Sequence, residues 1–117
     1  MRSDIRLIAV DLDGTLLNDR KEVPPDFVPM VNALYPRGVR FVIASGRQYF
    51  NLAAMFSGIA DKLFFFSENG GLVFDGAENI FCRPLPDDVL PALYRTGSAI
   101  PATTVLRSEE RRVGKEC

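Results

Sequence analysis

Ile8-Ala9-Val10-Asp11-Leu12-Asp13-Gly14-Thr15-Leu16-Leu17 is an apolar run that ends abruptly in two carboxylates one residue apart, followed by a glycine. Two charges at the end of a buried strand are expensive unless chemistry needs them. From Ile5 to Val10 the stretch has the length and β-branched content of a buried parallel strand, and ligands of open α/β sheets sit beyond the carboxyl ends of such strands. Asp11 and Asp13 are therefore expected to face a site, and their i, i+2 spacing in a strand sets both carboxylates on one side. Gly14 lets the chain bend away so that backbone N–H groups can approach an anion. The same residues also read as turn chemistry or as a fragment of a calcium loop. The calcium pattern, however, needs a third acidic position and a later glutamate that this stretch lacks.

Working outward, Pro24-Pro25-Asp26 opens an amphipathic helix that ends around Tyr35-Pro36-Arg37-Gly38, with proline at the start and glycine past the end as helices prefer. A second apolar strand, Val39 to Ala44, runs into Ser45-Gly46-Arg47, and Tyr49 to Phe56 continues as a helix closed by Gly58. A third strand, Leu63 to Phe66, runs into Ser67-Glu68-Asn69-Gly70-Gly71. Strands alternating with helices predict right-handed βαβ units and a parallel sheet. Leu72 to Cys82, with Asp75-Gly76 in its middle, reads as a hairpin. Beyond Pro84 and Pro86 the pattern predicts a helix over Asp87 to Arg95 and the start of a strand over Thr103 to Leu106.

Each strand end carries residues suited to an anion. At the second, the Ser45 hydroxyl can donate to a phosphate oxygen, and the N–H groups of Gly46 and Arg47, expected to open the next helix, favour negative charge. Arg47 can pair with a phosphate or with an acidic neighbour. At the third, Asn69 is a candidate substrate-side contact, although Asn-Gly is also a standard turn pair.

The run from Asp11 resembles the first motif of the haloacid dehalogenase superfamily, Asp-x-Asp-Gly-Thr followed by leucine, in its phosphatase form. Ser45-Gly46-Arg47 is similar to the second motif of the Cof-like phosphatases of subclass IIB, whose usual version is Thr-Gly-Arg, and Glu68-Asn69-Gly70-Gly71 resembles their Asn-Gly-Ala loop. The resemblance implies an α/β fold: a Rossmann-like parallel sheet with flanking helices, an incomplete core over residues 1–83, and the beginning of an inserted α/β cap over residues 84–106. It also implies Mg²⁺-dependent hydrolysis of small phosphorylated metabolites, sugar phosphates or nucleotide-type phosphates, through an aspartyl-phosphate. Asp11 would then be the nucleophile and Asp13 the general acid and base, a division that suits one carboxylate kept ionised beside another holding a proton. Gly14, Thr15, Ser45, Gly46, Arg47 and Asn69 would hold phosphate or substrate, and Asp11 with the backbone carbonyl of Asp13 would supply part of a Mg²⁺ shell. A phosphomutase, which returns the phosphoryl group to substrate, and a non-catalytic phosphate-binding module are the alternatives.

Two family motifs have no counterpart here: a lysine that neutralises the phosphoryl group, and a late Gly-Asp loop. The lysines are Lys21, Lys62 and Lys115, and no aspartate follows Asp88. The 117-residue chain is accordingly expected to be poorly soluble, with sheet edge exposed, and to have little or no phosphatase activity.

Composition narrows the field further. With 47% hydrophobic residues the chain can pack a core, and a net charge of −1 without a basic stripe gives no sign of a nucleic-acid partner. The absence of histidine excludes Ser/His and Cys/His triads. The two cysteines, Cys82 and Cys117, offer neither a disulfide framework nor a zinc site. No apolar run approaches membrane-spanning length and no apolar signal region opens the chain, so a cytosolic setting is expected. Residues 107–117 carry seven charges in eleven residues and resemble the translation of a sequencing-library adaptor. They are set aside from the fold reading as a terminal scar.

Overall fold

The computed structural model of the chain describes residues 4–101, so the strand expected over Thr103 to Leu106 and the charged run 107–117 lie outside the described residues. The chain divides after Cys82 into two compact units.

The first unit is a five-stranded sheet in the order β1-β2-β3-β4-β5. Its strands are β1 (Leu7–Asp11), β2 (Arg40–Ala44), β3 (Leu63–Ser67), β4 (Leu72–Asp75) and β5 (Glu78–Cys82). β1, β2 and β3 run parallel, with Asp11 opposite Ala44 and Ile43 opposite Phe65. Helix α1 (Phe27–Leu34) makes the crossover from β1 to β2, and α2 (Tyr49–Met55) the one from β2 to β3. A 3₁₀ turn over Tyr35–Arg37 ends the first crossover, and Gly38, in the left-handed region at φ 81°, caps it.

The three βαβ strands are parallel as expected, and the antiparallel hairpin joined to β3 makes the five-stranded sheet mixed. Only residues 68–71 separate β3 from β4, too few for a crossover, so the chain must turn back and pair antiparallel. β4 and β5 then form the expected hairpin, in which Asp75 faces Glu78 across Gly76-Ala77.

The core lies between one sheet face and the two crossover helices. Phe41 and Ile43 of β2 and Leu63 and Phe65 of β3 meet Phe27 and Val31 of α1 and Leu52 of α2, all buried. Phe27 packs edge-on against Phe41 at 5.5 Å and against Phe56 at 5.6 Å, a geometry that adds to the gain from removing the rings from water.

β1 departs from the expected buried strand. It sits at the sheet edge with β2 as its sole neighbour among the described residues. Ile8 and Val10 reach the core, while Leu7 remains 56% exposed and Asp11 is exposed too. A strand covered on one face alternates in this way even when its sequence is continuously apolar.

In the second unit, α3 runs Leu90–Ala99, three residues later than the pattern suggested. Pro91 accounts for the delay, because proline is tolerated in the first helical turn and disrupts later ones.

Candidate functional site

Because β1, β2 and β3 are parallel, the three segments leaving their carboxyl ends emerge along one edge of the sheet. The first is Leu12–Leu16. Leu12 is fully buried and Leu17 nearly so, and the Leu17 N–H donates to the Leu12 carbonyl at 3.0 Å. Two leucines thus pin a wide turn to the core while Asp11, Asp13, Gly14 and Thr15 between and beside them face outward. Gly14 has φ 77°, and a Cβ there would meet nothing within 4 Å. Its backbone conformation, not crowding, therefore calls for glycine.

The Asp13 carboxylate is the most heavily engaged group at this edge. Arg47 Nε donates to Oδ2 at 3.2 Å and Nη2 to Oδ1 at 2.9 Å, while Lys21 Nζ donates to Oδ1 at 3.2 Å. These hydrogen bonds, with Arg47 first and Lys21 second, hold the Asp13 carboxyl below its ordinary value, and Asp13 in turn raises that of Arg47. Of the two partners open to Arg47, the structure gives it the acidic neighbour. Asp13 is thus a carboxylate paired with two cations in this arrangement.

The second and third segments are tied together. The Asn69 N–H donates to the Ser45 carbonyl and the Glu68 N–H to the Arg47 carbonyl, both at 3.1 Å. Glu68 and Asn69 take positive φ, 52° and 55°, which folds the third segment back over the second. Asn69 then lies against Gly46, where a Cβ would come within 3.0 Å of Asn69 Oδ1. Ser45 is buried, and its hydroxyl oxygen accepts the Arg47 N–H at 3.1 Å.

These bonds overturn one expectation: Gly46 and Arg47 do not open a helix. Gln48 is extended and α2 begins at Tyr49. The Arg47 N–H is taken by Ser45, and the Ser45 and Arg47 carbonyls are taken by the third segment, which keeps residues 45–47 out of the helical ladder.

The structure therefore gathers Asp13, Ser45, Gly46, Arg47 and Asn69 into one hydrogen-bonded or contacting set and places Asp11, Gly14 and Thr15 on the adjoining turn. Lys21 is a member that the sequence reading passed over. Its signal was the Asn18-Asp19 pair, whose turn chemistry can bring a following residue back to the strand end.

No three histidine, cysteine or acidic side chains among the described residues are grouped to hold a metal. With the Asp13 carboxylate taken by two cations, the Asp11 carboxylate and the Asp13 carbonyl remain. They are two of the six oxygens an octahedral Mg²⁺ requires. The described residues alone do not make up such a site.

A sequence profile of haloacid dehalogenase-like hydrolases matches residues 8–116. The chain is 41% identical over 85 residues to the 5-amino-6-(5-phospho-D-ribitylamino)uracil phosphatase YbjI of Escherichia coli, covering 72% of this chain and 31% of that protein. It is 32% identical over 82 residues to a Bacillus subtilis phosphatase of the same description, YcsE, covering 70% and 33%. Among solved structures, a haloacid dehalogenase-like hydrolase from Bacteroides thetaiotaomicron superposes with a TM-score of 0.68 at 32% identity, over 81% of this chain and 38% of that one. A Eubacterium rectale protein superposes with a TM-score of 0.73 at 30% identity, over 80% and 36%. The chain spans about a third of the length of the curated relatives it matches.

Proposed function

Since the chain belongs to the haloacid dehalogenase-like hydrolases, we propose that it carries the nucleophile and phosphate-holding half of a cytosolic phosphomonoesterase acting on small phosphorylated metabolites. The gathering of three strand-end segments at one edge, bonded to each other and presenting Asp11 and Asp13, supports this reading most directly.

In this reaction the Asp11 carboxylate attacks phosphorus, the ester oxygen leaves, and an aspartyl-phosphate forms. Asp13 supplies the proton to the leaving oxygen and then takes one from the water that releases phosphate. Ser45 holds a phosphoryl oxygen through its hydroxyl, with Asn69 on the substrate side and Gly14 and Thr15 lining the turn. Arg47 and Lys21 must loosen their hold for Asp13 to carry a proton. Mg²⁺, the cofactor usual in this family, would screen the phosphoryl charge. The relatives described as phosphatases of a phosphoribitylamino-uracil favour a sugar-phosphate or nucleotide-type substrate.

A second reading is favoured by the engaged Asp13 and the two-oxygen donor set: the 117-residue chain on its own binds phosphate without turning it over. The test is an assay of the chain with Mg²⁺ and a panel of phosphate monoesters, run beside Asp11→Asn. Little or no turnover is expected. Robust turnover lost in Asp11→Asn overturns the inactive-fragment reading and keeps the nucleophile, whereas turnover surviving Asp11→Asn overturns the nucleophile as well.

A further inference from the structure

Residues 18–22 form a small loop closed on itself. The Asn18 N–H donates to the Glu22 carbonyl at 3.1 Å and the Lys21 N–H to the Asn18 carbonyl at 2.9 Å. Asn18 Oδ1 accepts the N–H groups of Arg20 and Glu22, each at 2.9 Å, and Asn18 Nδ2 donates to Glu22 Oε2 at 3.1 Å. The residue at the turn of this loop is Lys21, in the left-handed region at φ 62°. Glycine or asparagine would take that conformation more readily. A lysine is there instead, and its ammonium lies 3.2 Å from the carboxylate at the mouth.

Its surroundings set it apart from the other lysine among the described residues. Lys62 donates to Asn32 Oδ1 at 2.6 Å, and its neighbour Leu63 opens β3 at the end of the strand remote from the site. Lys21 spends one of three N–H groups on Asp13. It is 60% exposed on a flexible four-carbon stem, so the ammonium can follow an anion entering beside Asp13 without moving the backbone. Arg47, the other cation on Asp13, is committed through two nitrogens and is more enclosed.

We propose that Lys21 is an anion-contacting residue of this site, taking a phosphoryl oxygen of the substrate on the side of the mouth where Asp13 stands. The proposal rests on the phosphate-site reading above and adds to it a residue delivered by the loop between β1 and α1, outside the three strand-end segments. With an anion bound, the ammonium exchanges its carboxylate partner for phosphate, so Lys21 both contacts substrate and releases one hydrogen bond from Asp13.

The test is calorimetric titration of inorganic phosphate into the full 117-residue chain, with circular dichroism recorded for every variant. Lys21→Gly suits the left-handed conformation better than lysine does, so it removes the ammonium while keeping the loop. It is expected to weaken phosphate binding about tenfold with an unchanged spectrum, the usual scale for losing one hydrogen bond to a charged group. Lys21→Gln is expected to behave the same way, and Lys21→Arg to restore most of the affinity. Ser45→Ala, which removes a hydroxyl of the phosphate site itself, is expected to weaken binding independently. If Lys21→Gly and Lys21→Gln bind phosphate as the parent does while Ser45→Ala does not, the role of Lys21 falls and the phosphate site stands. If the folded parent chain takes up no phosphate at millimolar concentration, both fall.

Discussion

Gly46 shows how a single missing methyl group shapes the site. A Cβ there would stand 3.0 Å from Asn69 Oδ1 and 3.3 Å from Nδ2, so Gly46→Ala must displace the Asn69 side chain. That side chain can swing outward, so the stability cost is expected to stay below about 1 kcal/mol. Phosphate affinity is expected to fall severalfold. Thermal denaturation and phosphate titration of the same variant check both halves. Tyr49 makes the opposite kind of contribution, to the frame. Its hydroxyl donates to the Gly76 carbonyl at 2.9 Å and its ring stacks on Phe74 at 3.7 Å, fastening the start of α2 to the β4–β5 turn. Tyr49→Phe should cost about 1–2 kcal/mol in denaturant unfolding, since a buried carbonyl loses its donor. Burial raises the Tyr49 phenol above its ordinary 10.0. The neutral form is therefore the one the fold favours. Its contribution is complete below the unfolded value and disappears as pH rises through the folded one, so alkaline unfolding above about pH 10 should be shallower in Tyr49→Phe.

At the scale of elements, the strand ends matter more than the strands. β1, β2 and β3 owe their parallel order to α1 and α2, and those helices hold to the sheet through a few large side chains. Phe27 is the clearest of these, 2% exposed and edge-on to both Phe41 and Phe56. Phe27→Ala should cost about 3–5 kcal/mol, against a total of about 5–15 kcal/mol for an ordinary domain. Loss of cooperative thermal unfolding is the expected result; a native-like melting curve would show that α1 does not hold the sheet. The loops follow a different logic. Their backbone groups are satisfied by one another, as in the bonds from Glu68 and Asn69 to residues 45–47, so their shape is set by pairing between segments far apart in sequence. For this reason the β-α-β-α-β order and the helix from Tyr49 were readable in the sequence, whereas the exclusion of Gly46 and Arg47 from its first turn was not. Hydrophobic spacing marks a helix, but only the third segment could reveal that the carbonyls before Gln48 were already taken.

For the molecule as a whole, β1 is an open edge among the described residues, with Leu7 more than half exposed. An apolar, unpaired edge strand is a template for pairing with another chain. The 117-residue chain is expected to sediment as a mixture of associated species, and Leu7→Lys, which places a charge on that edge, to shift it toward the monomer. A monodisperse parent chain in sedimentation velocity would show that the edge is protected.

Sequence by itself determined the order of the five strands among the described residues, the two crossover helices, the hairpin, and the carboxylates at the end of β1, because each rests on local periodicity, turn chemistry or a short motif. Tertiary structure decided the rest. It joined the expected hairpin antiparallel to β3 through a four-residue connection, and among the described residues it set β1 at an edge, half exposed. It set Arg47 against Asp13, and it brought Lys21 to the same carboxylate. These outcomes depend on which groups meet across 8 to 34 residues of chain, and a hydrogen bond or ion pair at that separation leaves no periodic trace in the sequence.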